Sequence, residues 1–187
     1  PKTVVVLETS GPVLMPWVDQ SAGVVQAWYA GSGGGEAIAR VLFGEVNPSG
    51  HLPATFPVSE SQLPRPKLDG DPKNEKARFT VNYHEGAAVG YKWYDLKGLK
   101  PLFPFGHGLS YTQFSYSGLA ASQKDGKLQL TFKVTNTGAV KGKDVPQVYV
   151  SPVGAKWEAP KRLAGWDKVE LAPGESKDVS VTVDPRL

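Results

Sequence analysis

Residues 101–111, Pro-Leu-Phe-Pro-Phe-Gly-His-Gly-Leu-Ser-Tyr, constrain this chain more than any other stretch. Proline fixes φ and removes a backbone donor, so Pro101 and Pro104 exclude a helix interior and a central strand. Gly106 and Gly108 open backbone shapes closed to other residues. A flexible linker would be polar, whereas this one carries Leu102, Phe103, Phe105, Leu109 and Tyr111, which must be buried. The stretch reads as a rigid, packed connector. An α/β pattern precedes it and an all-β pattern follows.

In the first part, Thr3 to Leu7 is a continuous apolar, β-branched run, the signature of a parallel strand buried on both faces. Pro16 suits the first turn of a short helix, and Gly23 to Tyr29 reads as a second strand. The glycine run 31–35 leads into residues 36–44, where Ala37, Ile38, Val41 and Leu42 share one helical face. Glu36 favours the helix start and Gly44 its stop. Strand, turn and helix in succession indicate a doubly wound unit. Pro53 and Pro57 mark an edge segment. Residues 62–76 are polar and rich in Pro, Lys and Asp, which predicts an exposed loop. The aromatic stretch from Tyr83 to Tyr94 must be ordered.

After the connector, Leu128, Leu130, Phe132 and Val134 alternate with polar residues, as a half-buried strand requires. Val145 to Val150, Leu163 to Leu171, and the alternating Val179, Val181 and Val183 give further strands, separated by turns such as Ala172-Pro173-Gly174-Glu175. Short strands with turn signals between them indicate a β-sandwich. Roughly four or five are legible against the seven of a full sandwich, so the sandwich reads as incomplete at its C-terminal end.

Of 187 residues, 21 are basic and 18 acidic, a net charge of +3. That balance, without basic runs or interleaved aromatics, argues against a nucleic-acid partner. Cysteine is absent, which removes disulfides, thiolate metal sites and a cysteine nucleophile. No apolar run approaches the ~20 residues of a membrane span. The first residue is Pro1, directly before a strand, and the chain stops soon after another, so both ends read as cuts in a longer protein.

Several residues carry possible chemistry. The glycine run sits where a phosphate loop would, but the lysine of that motif is missing, so a tight strand-to-helix turn is the better reading. His51, His84 and His107 lack the spacing of a helical zinc site, and no metal or other cofactor is expected. Glu85, among Tyr83 and His84, is a candidate sugar-contacting group; the bland alternative is a carboxylate bonded to backbone amides. Of the tryptophans 17, 28, 93, 157 and 166, Trp28 reads as core, whereas Trp93 and Trp157 are candidates for stacking on sugar. No Gly-x-Ser-x-Gly nucleophile motif is present.

Taken together, these stretches resemble the C-terminal half of the family 3 glycoside hydrolases, the β-glucosidase and β-xylosidase family. The resemblance is carried by Gly11-Pro12-Val13 and Met15-Pro16-Trp17, Ala27-Trp28-Tyr29 with Gly31, Gly34 and Gly35, and Val41-Leu42-Phe43-Gly44 with Asn47 through Pro53. It continues in Thr55-Phe56-Pro57, Tyr83-His84-Glu85-Gly86, Val89 to Tyr94, and Pro101 through Tyr111. It runs the whole chain in order. It implies a barrel, then an α/β sandwich, then a fibronectin type III-like domain. Residues 1–57 would be the end of the α/β sandwich, 58–114 a long connector, and 115–187 a truncated fibronectin-like β-sandwich. The implied fold class is α/β followed by all-β.

The resemblance also implies a retaining mechanism with two carboxyl groups about 5–5.5 Å apart. The family's nucleophile is an Asp on the barrel, and its acid/base Glu lies upstream of the strand that opens this chain. No catalytic residue is therefore assigned here; Glu36 reads as helix N-terminal. Glu85 and Trp93 are the substrate-binding candidates. The expected partners are the missing barrel and a β-linked glucoside or oligosaccharide, in a periplasmic or secreted enzyme. The competing readings are a carbohydrate-binding module and an adhesion module.

Overall fold

A computed structural model describes residues 2–184, apart from 68, 71, 72, 75, 77 and 155. Strand β1 (Val4–Leu7) runs parallel to β2 (Gly23–Gln26), with Val5 opposite Val24. The link between them holds a single 3-10 turn, Val18–Gln20, two residues beyond Pro16. β2 ends at Gln26 rather than Tyr29, because Trp28 adopts a left-handed backbone with φ of 54°. Helix α1 (Gly34–Leu42) starts two residues earlier than the pattern suggested. Gly44, at φ 78°, closes it and donates to Val41 O at 3.1 Å, as a helix-terminating glycine does.

The β1 run is not buried on both faces. Val4 is exposed and the other three strand residues are half-buried. The apolar pattern is that of an internal strand, but the sheet here has two members.

The middle of the chain winds back onto the α/β unit. Phe56, almost fully buried, pairs with Phe103 in an isolated antiparallel bridge. Phe56 N donates to Phe103 O at 2.8 Å, and Leu102 N to Phe56 O at 2.9 Å. Leu52 and the 106–107 peptides are joined likewise, with Leu52 N to His107 O at 2.7 Å and Gly106 N to Leu52 O at 2.8 Å. The connector is thus held along its length. Burial is less complete than expected: Leu102, Phe103 and Phe105 are half-buried, but Leu109 and Tyr111 are exposed. The stretch 83–94 contains the start of an unforeseen helix, α2 (Tyr91–Lys97), bounded by Gly90 and by Gly98 in the left-handed region. Most described residues of the 62–76 loop are exposed; 68, 71, 72 and 75 lie outside the described set.

Among the described residues seven strands follow: β3 (Phe114–Lys124), β4 (Lys127–Asn136), β5 (Gly142–Asp144), β6 (Gln147–Val150), β7 (Arg162–Trp166), β8 (Val169–Leu171) and β9 (Ser176–Val183). They form a β3-β4-β9 sheet and the pairs β5-β8 and β6-β7, all antiparallel. The count of four or five was too low for physical reasons. β3 is exposed along nearly all its length and shows no alternation. The Leu163–Leu171 run divides at Asp167-Lys168 into strands of two different sheets. β5 and β6 divide at Val145-Pro146, and that proline cannot continue a ladder. The core lies between β4, β8 and β9: Leu130, Phe132, Val134, Val169, Leu171, Val179, Val181 and Val183. The alternation read in β4 and β9 places Leu130 opposite Val181 and Phe132 opposite Val179.

Candidate functional site

Two candidate places emerge, a polar seam between the α/β unit and the β-sandwich, and the pocket of Glu85. The seam begins at Asn47, which follows the end of α1. Its amide oxygen accepts from Tyr111 N at 2.7 Å and Ser110 Oγ at 3.1 Å, and its amide nitrogen donates to Pro48 O at 3.0 Å. Four residues on, His51 Nδ1 lies 2.8 Å from Gly106 O and Nε2 lies 3.3 Å from Asp144 Oδ1. The other oxygen of Asp144 accepts from the Tyr116 hydroxyl, and Val145 N donates to Oδ1 at 2.9 Å. The loop after α1, β3 and β5 therefore meet at one carboxylate, and His51 ties the connector to it through Gly106 O. A cleft of about 330 Å³ opens beside it, lined in part by Ser49, Leu109, Thr112 and Lys143.

The connector's glycines permit this approach. At Gly106, φ is 80° and an added Cβ would stand 2.5 Å from Gln147 Oε1. At Gly108, an added Cβ would run into Gly50 O.

The electrostatics follow from the partners. Both nitrogens of His51 face acceptors, and only the protonated ring can donate to both. The Asp144 hydrogen bond raises its pKa most, against a lowering by burial and by Lys168, with Gly106 O adding to the rise. Burial pushes Asp144 up, but the His51, Tyr116 and Val145 bonds outweigh it and hold the carboxyl below its usual value. Burial, then Asp144, raises the Tyr116 phenol far above its ordinary range. His107, stacked on Phe103 at 5.2 Å, is lowered by burial and by His51. With every polar atom of the His51–Asp144 pair occupied, the cluster clamps; it has no free base or nucleophile.

A second clamp fixes α2 to the sandwich. Glu158 receives Lys92 Nζ at 2.7 Å and Arg162 Nη2 at 2.5 Å. Arg162 and then Lys92 hold its carboxyl at about 2. Tyr91 accepts from Leu163 N at 2.7 Å through its hydroxyl, and its ring meets Tyr149 edge-on at 5.7 Å. Tyr149, half-buried and near Tyr91 and Asp95, is pushed up to about 12, by burial first.

Glu85 is a different case. Its side chain is 4% exposed, and Oε1 pairs with Arg65 Nε at 3.5 Å. Oε2 is buried with no hydrogen-bond partner among the described residues. It is therefore not the carboxylate saturated by backbone amides that the bland reading required. Arg65 also pairs with Asp69 at 3.1 Å and stacks on Tyr83 at 4.4 Å. Trp93 is tied down: its indole donates to Gln62 O at 2.9 Å and Lys97 Nζ sits 4.8 Å over the ring. Trp157 is covered by Arg162 at 4.3 Å. Glu85 and Trp93 share no hydrogen bond, though both are tied to the 62–65 segment. Trp28 is half-buried and packs on Phe56 at 6.2 Å. The glycine run makes the turn into α1, with Gly34 N donating to Gly31 O at 3.0 Å. Among the described residues, no group of three or more His, Asp or Glu is placed to hold a metal, and no helix is long and apolar enough to cross a membrane.

Sequence reasoning did not single out Asn47, Tyr116, Asp144 or Glu158 as chemistry-bearing. Asn47, Tyr116 and Asp144 have their main partners far off along the chain, where no local spacing betrays them. Glu158 was the legible one, since Arg162 stands four residues on, although its other partner, Lys92, is 66 residues away.

Comparison with known proteins follows the same division. Residues 1–111 match the glycosyl hydrolase family 3 C-terminal domain, and residues 144–187 match a fibronectin type III-like domain. Thermostable beta-glucosidase B of Acetivibrio thermocellus is 46% identical over 98% of this chain and 24% of its own length. Beta-glucosidase BoGH3A of Bacteroides ovatus is 42% identical over 97% of this chain and 25% of its own length. Among solved structures, beta-glucosidase 3B from Thermotoga neapolitana in complex with alpha-D-glucose superposes with a TM-score of 0.88 at 39% identity, covering 96% of this chain and 25% of that one. The chain thus spans about a quarter of the length of these relatives. It belongs to the glycosyl hydrolase family 3 C-terminal domain family, with a fibronectin type III-like domain in its second part.

Proposed function

We infer that these residues are the C-terminal scaffold of a retaining β-glucosidase-type hydrolase that removes terminal β-D-glucosyl or β-xylosyl residues. The observation that carries this reading is the match to β-glucosidases along 97–98% of this chain but a quarter of theirs. We assign residues 1–57 to the α/β sandwich, 58–114 to the connector and 115–187 to the fibronectin-like sandwich. The nucleophile and the acid/base belong to the rest of the polypeptide, in a periplasmic or secreted enzyme.

The chain's own contribution is positional. Catalytic carboxyls misplaced by ~1 Å cost on the order of 10²-fold in rate, so a frame pinned by the Asp144 and Glu158 clamps serves that geometry. At the substrate side, Glu85 is the better candidate, because Oε2 has no hydrogen-bond partner among the described residues. Trp93 is the weaker one, since its N–H and one face are already used. The same occupancy of Trp93 and Trp157 speaks against a carbohydrate-binding module built on them.

The test is a chimera in which the matched quarter of the Acetivibrio thermocellus enzyme is replaced by these 187 residues. The chimera is expected to hydrolyse an aryl β-glucoside within about tenfold of the parent kcat/KM. A folded chimera without hydrolysis would overturn the reading.

A further inference from the structure

The C-terminal end of α1 and the end of the connector both carry exposed apolar side chains. Phe43 is 84% exposed and Leu109 77%, and Leu42, Val46 and Tyr111 are exposed beside them in sequence. The two segments are joined directly: the Tyr111 hydroxyl donates to Val41 O at 2.9 Å, in the last turn of α1. Asn47 ties Tyr111 and Ser110 from the other side. Val46 N donates to Arg40 O at 3.1 Å, and Phe43 N to Ala39 O at 2.9 Å. The apolar side chains therefore stand on a backbone that is already fixed.

Exposed apolar clusters of this kind mark interaction surfaces. A pre-ordered backbone lowers the cost of binding there. The nearby charges, Arg40 and Glu45, neutralise each other at 3.4 Å, so the surface asks for an apolar partner. About three quarters of the length of each relative lies outside the matched region.

We propose that the Phe43–Leu109–Tyr111 surface is the docking face for the remaining, catalytic part of the same polypeptide. The proposal rests on the reading of the chain as a β-glucosidase scaffold. It adds which face transmits the scaffold's position to the catalytic part. Exposure of these side chains is then a property of the 187 residues alone.

The experiment introduces Phe43→Asp with Leu109→Asp into both the chimera and the isolated chain. In the chimera, kcat/KM for an aryl β-glucoside is expected to fall at least about tenfold and the Tm by about 5 °C or more. In the isolated chain, the circular dichroism should be unchanged and the Tm should move by no more than about 2 °C, as for exposed sites. Equal Tm losses in the two contexts, or full activity of the substituted chimera, would overturn the docking face and leave the scaffold reading intact. Dimers of the isolated chain that the substitutions dissociate would assign the face to a second copy instead, and would also overturn it. An unsubstituted chimera that folds but does not hydrolyse would remove the scaffold reading, and the docking face with it.

Discussion

Asn136 shows how a single buried polar side chain is made tolerable. It is fully buried at the end of β4, yet its amide nitrogen donates to Val140 O at 2.9 Å and Leu171 O at 3.0 Å. Its amide oxygen accepts from Thr112 Oγ1 at 2.7 Å and Gly138 N at 3.1 Å. Every hydrogen-bonding site of the side chain is used, which is the condition for burying it without penalty. Asn136→Ala leaves two donors and two carbonyls unsatisfied, and should destabilise the chain by about 2–4 kcal/mol. Urea unfolding measures this; a loss under about 0.5 kcal/mol, the level of an exposed site, would contradict it. In the sequence, Asn136-Thr137-Gly138 reads as a turn, which is correct as far as it goes. Gly138 and Val140 lie within or just past that turn, whereas Thr112 and Leu171, 24 and 35 residues away, leave no local trace.

Among the elements, the seam joins pieces that composition alone cannot join. The pH dependence of the His51–Asp144 contact belongs to this scale. The pKa of His51 is raised, so its contribution is fully present below the unfolded value of about 6.5 and is lost as pH rises through the folded value. The pKa of Asp144 is lowered, so its contribution is present above the unfolded value and is lost as pH falls through the folded one. His107, lowered by burial and by His51, opposes His51, because its proton is disfavoured in the fold. The groups facing His51 are Asp144 from β5, Tyr116 through that carboxylate, His107 from the connector, and Lys168. The difference in stability between wild type and His51→Gln isolates the His51 part. It should be about 1 kcal/mol near pH 5.5, given the partial exposure of the pair, and shrink by pH 9. A difference that grows with pH would contradict the assignment. Elements were legible where the apolar pattern is regular: β4 and β9 bury one face, and α1 was legible from its periodicity although Ala37 and Leu42 of its apolar face are exposed. They were missed where the cue was different. The β3–β4 hairpin turns on Asp125-Gly126, both with positive φ, a dipeptide signal that was present but lay outside any alternating pattern. α2 was hidden because its aromatics face two neighbours, and because Gly98 and Gly90 were not read as helix ends.

For the whole molecule, the connector organises the rest, as its prolines and aromatics suggested, but it does so by hydrogen bonds as much as by burial. Leu109 and Tyr111 look like core residues and are exposed; with β1 half-open as well, the chain shows apolar surface on several sides. On the proposed reading these are surfaces that the rest of a longer polypeptide would cover, since the chain spans about a quarter of the length of its relatives. The division into an α/β part and a β-sandwich, and the kinship with β-glucosidases, were legible because they rest on long periodic patterns and on many short motifs in order. Glu85 was legible as a residue of interest, whereas that its Oε2 has no partner among the described residues appears only in three dimensions. The central claim is that these 187 residues support catalysis and do not perform it. The most direct measurement is the hydrolysis of an aryl β-glucoside by the purified chain alone, followed through successive chromatographic steps. The account predicts release no faster than in buffer. Turnover that co-elutes with the chain and keeps a constant specific activity through every step would contradict it.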